Sequence, residues 1–313
     1  VYGESGANPS TTCLIRFAVI DKWNARGLKF PPSSFVLIAA MTAAGFVPDN
    51  ALASSCVWKV NGPNGGTLYL GGSVHALRSS DYPLPAGYNS ALDACSRLVF
   101  EDDPKAETRA TKELLRAGTY PKGDSLRNHV DPRTYKYLKR FFALVNVPEE
   151  TFARYRPWLI NILLSSPSSE HWRLGIEQYL QRRAKGSKSI SGLELPKEHN
   201  SFFVDLSDRE AEALLLILFI NAGQTEADGG DIIRAWRRGD ADALLRLVRD
   251  EFRDLPSLGR RLIDQRNQNW VPKIEEYLRS GHTYFVVVGA GHMGGPNGLL
   301  SLLRARGYTI EQL

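Results

Sequence analysis

Two stretches of the chain share one form, Gly72-Ser-Val-His75 and Gly289-Ala-Gly-His292. Each sets an imidazole three residues after a glycine, directly behind an apolar run that reads as a β-strand. Two further runs of that kind, Arg97–Glu101 and Ser189–Glu194, end in a carboxylate. Imidazole nitrogens and carboxylate oxygens are ordinary donors to divalent Zn, Mn, Co or Fe. An ion held by the two imidazoles with one or two of these carboxylates would lower the pKa of a bound water, to roughly 7 in favourable zinc sites, and supply hydroxide for attack on a carbonyl. A carboxylate at its side, Glu101 or Glu194, would serve as general base. Arg266-Asn267, between the last two of these strands, adds a planar cation that suits a carboxylate or an oxyanion. Pro296-Asn297-Gly298 opens the last helix and offers backbone N–H groups near His292. Gly72 and Gly289 would permit a sharp turn and let a ligand approach the backbone closely. A lone Gly-x-x-His occurs by chance, and a single turn histidine is more often a hydrogen-bonded structural residue. Here the same motif occurs twice, after strong strands, with strand-terminal acids between.

The elements that must position these groups form a consistent pattern. Cys56–Val60 and Thr67–Leu70 flank an Asn/Gly/Pro loop and predict a hairpin. Pro85 to Ala94 predicts a short helix, and the stretch from about 104 to 188 reads as a helical insertion punctuated by prolines. Ser207-x-x-Glu210 is a capping box opening a long helix. Further helices are predicted over Ile232–Arg238, Ala241–Phe252, Leu258–Leu278 and Gly298–Arg306, with Thr283–Val288 the strongest strand. This is an α/β fold with a mixed, largely parallel central sheet, an N-terminal hairpin and a large helical insertion. In parallel sheets ligands bind at the carboxyl ends of strands. Parallel neighbours would therefore bring His75, Glu101, Glu194 and His292 to one rim. His129, His171, His199 and His282 fall in helical or loop contexts and read as structural.

Several function classes are excluded. The chain has no Gly-x-Ser-x-Gly elbow, no Walker loop and no His-Glu-x-x-His. Gly289-Ala-Gly-His-Met-Gly imitates a dinucleotide fingerprint, but too little chain follows it for a βαβ unit, and no acidic residue stands at the required distance. The 39 Lys and Arg against 34 Asp and Glu leave a formal charge of +5. That excess is spread along 313 residues, which argues against a nucleic-acid partner. Arg26 and Lys29, an apolar run of thirteen residues from Phe35 to Val47, and Ala51-Leu-Ala53 have the parts of a secretory signal peptide. Residues 1–25 then read as an upstream extension, 26–53 as the signal and 54–313 as one domain. The mature chain carries +4 and no predicted transmembrane helix. An exported protein, periplasmic or secreted, follows, with a lipid anchor at Cys56 as the lesser alternative. Cys56 and Cys95 are free to pair in an oxidising compartment or to remain buried thiols.

From Cys56 onward the chain resembles the TraB/PrgY/GumN family, in its exported GumN-like branch. The resemblance is carried by Leu68–His75, Leu98–Glu101, Gly192–Glu194, Arg266-Asn267 and Val288–Gly295 with Gly298-Leu-Leu. The family is similar to the TIKI metalloproteases and, in fold, to erythromycin-esterase-like hydrolases and a haem-binding lipoprotein. It implies His75 and His292 with Glu101 as the central set, and it matches Glu194 and Arg266. Gly291 departs from the pattern, which has a larger residue before the second histidine. The resemblance implies a metal-dependent hydrolase, foremost a peptidase, acting on a peptide or small molecule. A haem-, metal- or peptide-sequestering protein and a metal-free esterase-like hydrolase remain the alternatives.

Overall fold

The computed structural model describes residues 54–63, 65–165, 173–220 and 225–313; the expected leader and His171 lie outside them. The hairpin forms as β1 (Val57–Asn61) and β2 (Thr67–Ser73), antiparallel with Asn61 opposite Thr67. They join β3 (Arg97–Asp102), β4 (Ser189–Glu194), β5 (Tyr284–Gly289) and β6 (Thr309–Gln312) in one sheet of order β4-β3-β5-β2-β1-β6. The contacts β4–β3, β3–β5 and β5–β2 are parallel, whereas β1 and β6 run antiparallel to their neighbours. The fold is α/β with a mixed, largely parallel sheet. All six residues of β5 are buried, as a central strand covered on both faces requires. Ser73 pairs with Gly289, and Asp102 pairs with Glu194. The carboxyl ends of β2, β3, β4 and β5 therefore share one edge.

The short β6 is absent from the sequence expectation. It is a four-residue strand in which only Ile310 is partly buried, too little to show an alternation.

Helix α1 (Ala86–Ala94) starts behind Pro85. Between β3 and β4 lie α2 (Glu107–Ala117), α3 (Pro132–Leu144), α4 (Glu149–Phe152), α5 (Pro157–Ser165) and α6 (Ile176–Ala184). This region has its own apolar cluster, including Leu138, Phe142 and Phe152. After β4 come α7 (Pro196–Val204) and α8 (Asp208–Ile220). The capping box is made: Ser207 N–H donates to Glu210 Oε2 at 3.0 Å, and Glu210 N–H donates to Ser207 Oγ at 3.3 Å. Then follow α9 (Thr225–Arg238), α10 (Ala241–Glu251) and α11 (Pro256–Gly259). The helix expected over Leu258–Leu278 is interrupted by a π-helical turn, Arg260–Asp264, before α12 (Gln265–Arg279). Such turns are frequent at functional sites, and this one ends two residues before Arg266. On α12 the buried residues Arg266, Asn267, Trp270, Val271, Ile274 and Leu278 recur at three- and four-residue steps, so one face enters the core. Helix α13 (Leu299–Arg304) packs near the end of the chain. Among the described residues no helix is long and apolar enough to cross a membrane.

Cys56 and Cys95 are both buried free thiols, so the pairing open to them is not made. Burial pushes the Cys56 thiol well above its ordinary value.

His129 ties the insertion to α8. Its Nδ1 lies 2.7 Å from Asp208 Oδ2 and its Nε2 lies 2.8 Å from Asp124 Oδ2. The ring stacks on Tyr120 at 4.2 Å. Burial opposes the charged form, but the bonds to Asp208 and Asp124 outweigh it and raise the histidine pKa. A raised folded-state pKa contributes stability that is full below the unfolded value near 6.5 and fades as pH rises through the folded value. His129→Gln should therefore flatten the decline of the urea midpoint between neutral and mildly alkaline pH. An unchanged pH profile would remove this histidine from the account.

Candidate functional site

The ends of β2, β3 and β5, the π-helical turn and the start of α12 border a cavity of about 410 Å³. His75, Glu101, Arg266, Gly289 and His292 all line it. Glu101 is pinned on both oxygens. Gly289 N–H donates to Oε1 at 2.6 Å, and Arg266 Nη2 donates to Oε2 at 2.6 Å. Burial acts to raise the Glu101 pKa, yet Arg266, the two histidines and the Gly289 N–H hold it far below the carboxylate range. Arg266 also grips Glu194 through Nε at 2.9 Å and Nη2 at 2.8 Å. Its guanidinium lies over the Trp270 ring at 4.6 Å and over Phe202 at 5.3 Å. Trp270 Nε1 donates to Glu194 Oε1 at 2.9 Å. Glu194 thus stands beside the cavity as the anchor of Arg266.

Asn267 serves His292 in the same way. Its Nδ2 donates to the carbonyls of His292, at 3.2 Å, and Asn297, at 2.8 Å. Its Oδ1 is then the acceptor that faces His292 Nδ1 at 2.7 Å, so Nδ1 carries the proton and Nε2 the lone pair. Burial, aided by Arg266, drives the His292 pKa down to about 4 despite the pull of Glu101. His292 is a neutral imidazole at neutral pH. His75 is backed differently: its Nδ1 lies 2.7 Å from Glu177 Oε1, on α6. Burial opposes its charge, but Glu177 prevails and raises its pKa above the usual value.

The motif glycines are explained mainly by the chain itself. A Cβ on Gly72 would collide with Cys56 Sγ and come within 3.0 Å of Ala290 Cα, so β2 closes on its neighbours only without a side chain. Its carbonyl accepts from Tyr88 Oη and from Trp236 Nε1, the latter at 3.1 Å. The sequence expectation of ligand access at Gly72 is thereby replaced by packing. Gly289, by contrast, faces the cavity and offers its N–H to Glu101. Gly291 also has a reason: a Cβ there would stand 2.8 Å from Val248 Cγ2 on α10.

The TraB/PrgY/gumN family model matches residues 56–312. The chain belongs to this family. A Treponema pallidum protein whose name states no function is 25% identical, over 80% of both chains. A metalloprotease TIKI homolog of Amphimedon queenslandica is 22% identical over 89% of this chain and 65% of its own length. No solved structure matches.

In this TraB/PrgY/gumN protein two groups escaped sequence reasoning. Glu177 belongs to the insertion and carries no motif. His199, expected to be structural, lines the cavity from α7, with Nδ1 at 3.2 Å from both Glu194 Oε2 and Asp102 Oδ1. Its only sequence signal was its place five residues after Glu194. Among the described residues, the trio whose ligand atoms lie within 4.8 Å of one another is Asp102, Glu194 and His199. His75, Glu101 and His292 line the same cavity without closing into so tight a group. The donor chemistry nonetheless fits a divalent ion. Glu101 and Glu194 pair with Arg266, Asp102 and Glu177 add carboxylates to the lining, and His292 supplies a neutral imidazole.

Proposed function

We propose that this chain is an exported metal-dependent hydrolase, foremost a peptidase, working at the strand-end cavity. The observation that carries the reading is the neutral His292 in one cavity with His75 and an ionised Glu101. His75, His292 and Glu101 would hold a divalent Zn, Mn, Co or Fe ion. Such an ion supplies a polarised carbonyl and a water acidic enough to react near neutral pH. Glu194 and Asn267 orient Arg266 and His292, and Arg266 fixes the charge of Glu101 for the reaction. Glu101 is a charge-bearing donor here; a carboxylate so acidic is a weak proton acceptor. The rest of the lining includes Leu114, Phe202, Phe203, Phe252, Leu262 and Ile263. That wall suits a bulky apolar side chain beside the cleaved bond, which the ionic groups at the strand ends would meet. The leader features lie outside the described residues, and export rests on them and on the sequence resemblance.

The test is metal analysis of the purified mature protein, with cleavage of peptides bearing Leu or Phe, before and after chelation and Mn²⁺ or Co²⁺ addition. Stoichiometric metal and cleavage lost in His292→Ala are expected. Turnover that survives thorough chelation would overturn the metal requirement. Tight haem or peptide binding without turnover would make the protein a sequestering one.

A further inference from the structure

The two Gly-x-x-His turns are alike in sequence and unlike in what stands behind their rings. His292 Nδ1 faces the amide oxygen of Asn267, whereas His75 Nδ1 faces the carboxylate of Glu177 at 2.7 Å. At that distance two lone-pair atoms would repel, so one of the pair carries a proton; an ionised carboxylate can only accept, which places the proton on Nδ1. A second contact fixes the arrangement: Ile176 N–H donates to Val74 O at 3.2 Å, pinning the start of α6 to the residue before His75. Glu177 also sits in the first turn of α6, where the helix dipole favours a negative charge.

We propose that Glu177 is a positioning residue that holds His75 as the Nδ1–H tautomer and, through its charge, makes the two histidines chemically distinct. The helical insertion is then part of the site, because it supplies this carboxylate. A carboxylate behind an imidazole orients the ring and raises its basicity as a ligand, which a neutral amide does less. The inference rests on the reading of the cavity as a hydrolytic site only for its use in catalysis; the tautomer itself does not depend on that reading.

The experiment is nitrogen-15 NMR of histidine-labelled, metal-free full chain followed from neutral to mildly alkaline pH, where the His75 ring is neutral, with His75→Gln for assignment, together with Mn²⁺ titration by calorimetry. In the parent protein the His75 signals should report Nδ1–H. In Glu177→Ala they should shift to a majority of Nε2–H, and Mn²⁺ binding should weaken about 10- to 100-fold. Glu177→Gln, whose amide oxygen still accepts, should keep the tautomer and lose less affinity. It also serves should the alanine variant fold poorly. Asn267→Ala should move the His292 signals and leave those of His75. An Nε2–H tautomer for His75 in the parent, or unchanged signals in Glu177→Ala, would overturn the assignment. Absence of Mn²⁺ binding in the parent would instead overturn the metal reading, and the tautomer would still decide the role of Glu177.

Discussion

Arg266→Ala should destabilise the protein by about 3–5 kcal/mol, the usual cost of leaving buried charge without its partner. The side chains of Arg266, Glu101 and Glu194 are 8%, 16% and 4% exposed, so water screens the ion pairs little. Among the described residues Arg266 is the one guanidinium that bonds both carboxylates, at 2.6 and 2.8 Å. Without it two carboxylates stand in one low-dielectric site and repel. One or both must take up a proton near neutral pH, or the strand ends must open to water. The loss should appear as a fall in melting temperature of roughly 10 °C for a chain of this size. Arg266→Lys should recover part of it, since charge is kept but the fork that reaches both carboxylates is lost. The gap between parent and alanine variant should narrow as pH falls below the carboxylate range, because protonation neutralises the repelling pair. Urea midpoints at neutral and acid pH measure this directly. Equal midpoints at neutral pH would mean that the ion pairs contribute nothing to the fold.

That pair of contacts also shows where sequence reasoning reaches and where it stops. The ends of β2, β3, β4 and β5 were legible because each apolar run stops at a polar side chain, and parallel pairing carries all four to one edge. Arg266-Asn267 was legible as a cation suited to a carboxylate or an oxyanion. Its partners were not, because the carboxylates it holds lie on strands distant in sequence. Glu177 was hidden for a stronger reason. It sits among ordinary charged residues of a helix, and only the packing of α6 against Val74 brings it to His75. His199 read as structural since nothing local shows that α7 brings its ring to Glu194 and Asp102. The glycines were read for ligand approach, yet Gly72 and Gly291 answer to Cys56 and Val248, contacts that no spacing reveals. The π-helical turn before Arg266 likewise leaves no periodic mark of its own.

Glu101→Gln should cut hydrolysis about 10²- to 10³-fold, the scale of removing one preorganised charge from a water-poor site. The substitution keeps the volume and an oxygen for the Gly289 N–H, so the strand end stays in place. What it removes is the negative charge in the cavity shared by the two imidazoles and Arg266. Stability should respond with a defined sign. The folded Glu101 pKa is depressed, so its contribution is present above the unfolded value near 4.5 and lost as pH falls through the folded one. The glutamine variant should therefore be weaker at neutral pH and decline less steeply into acid. His292 adds an opposing check on the same titration. Its folded value of about 4, below the 6.5 of the unfolded chain, makes the parent lose stability between those pH values, and the glutamine variant should retain that loss. A Glu101→Gln enzyme with parental turnover would remove this carboxylate from the chemistry and leave it a structural partner of Arg266.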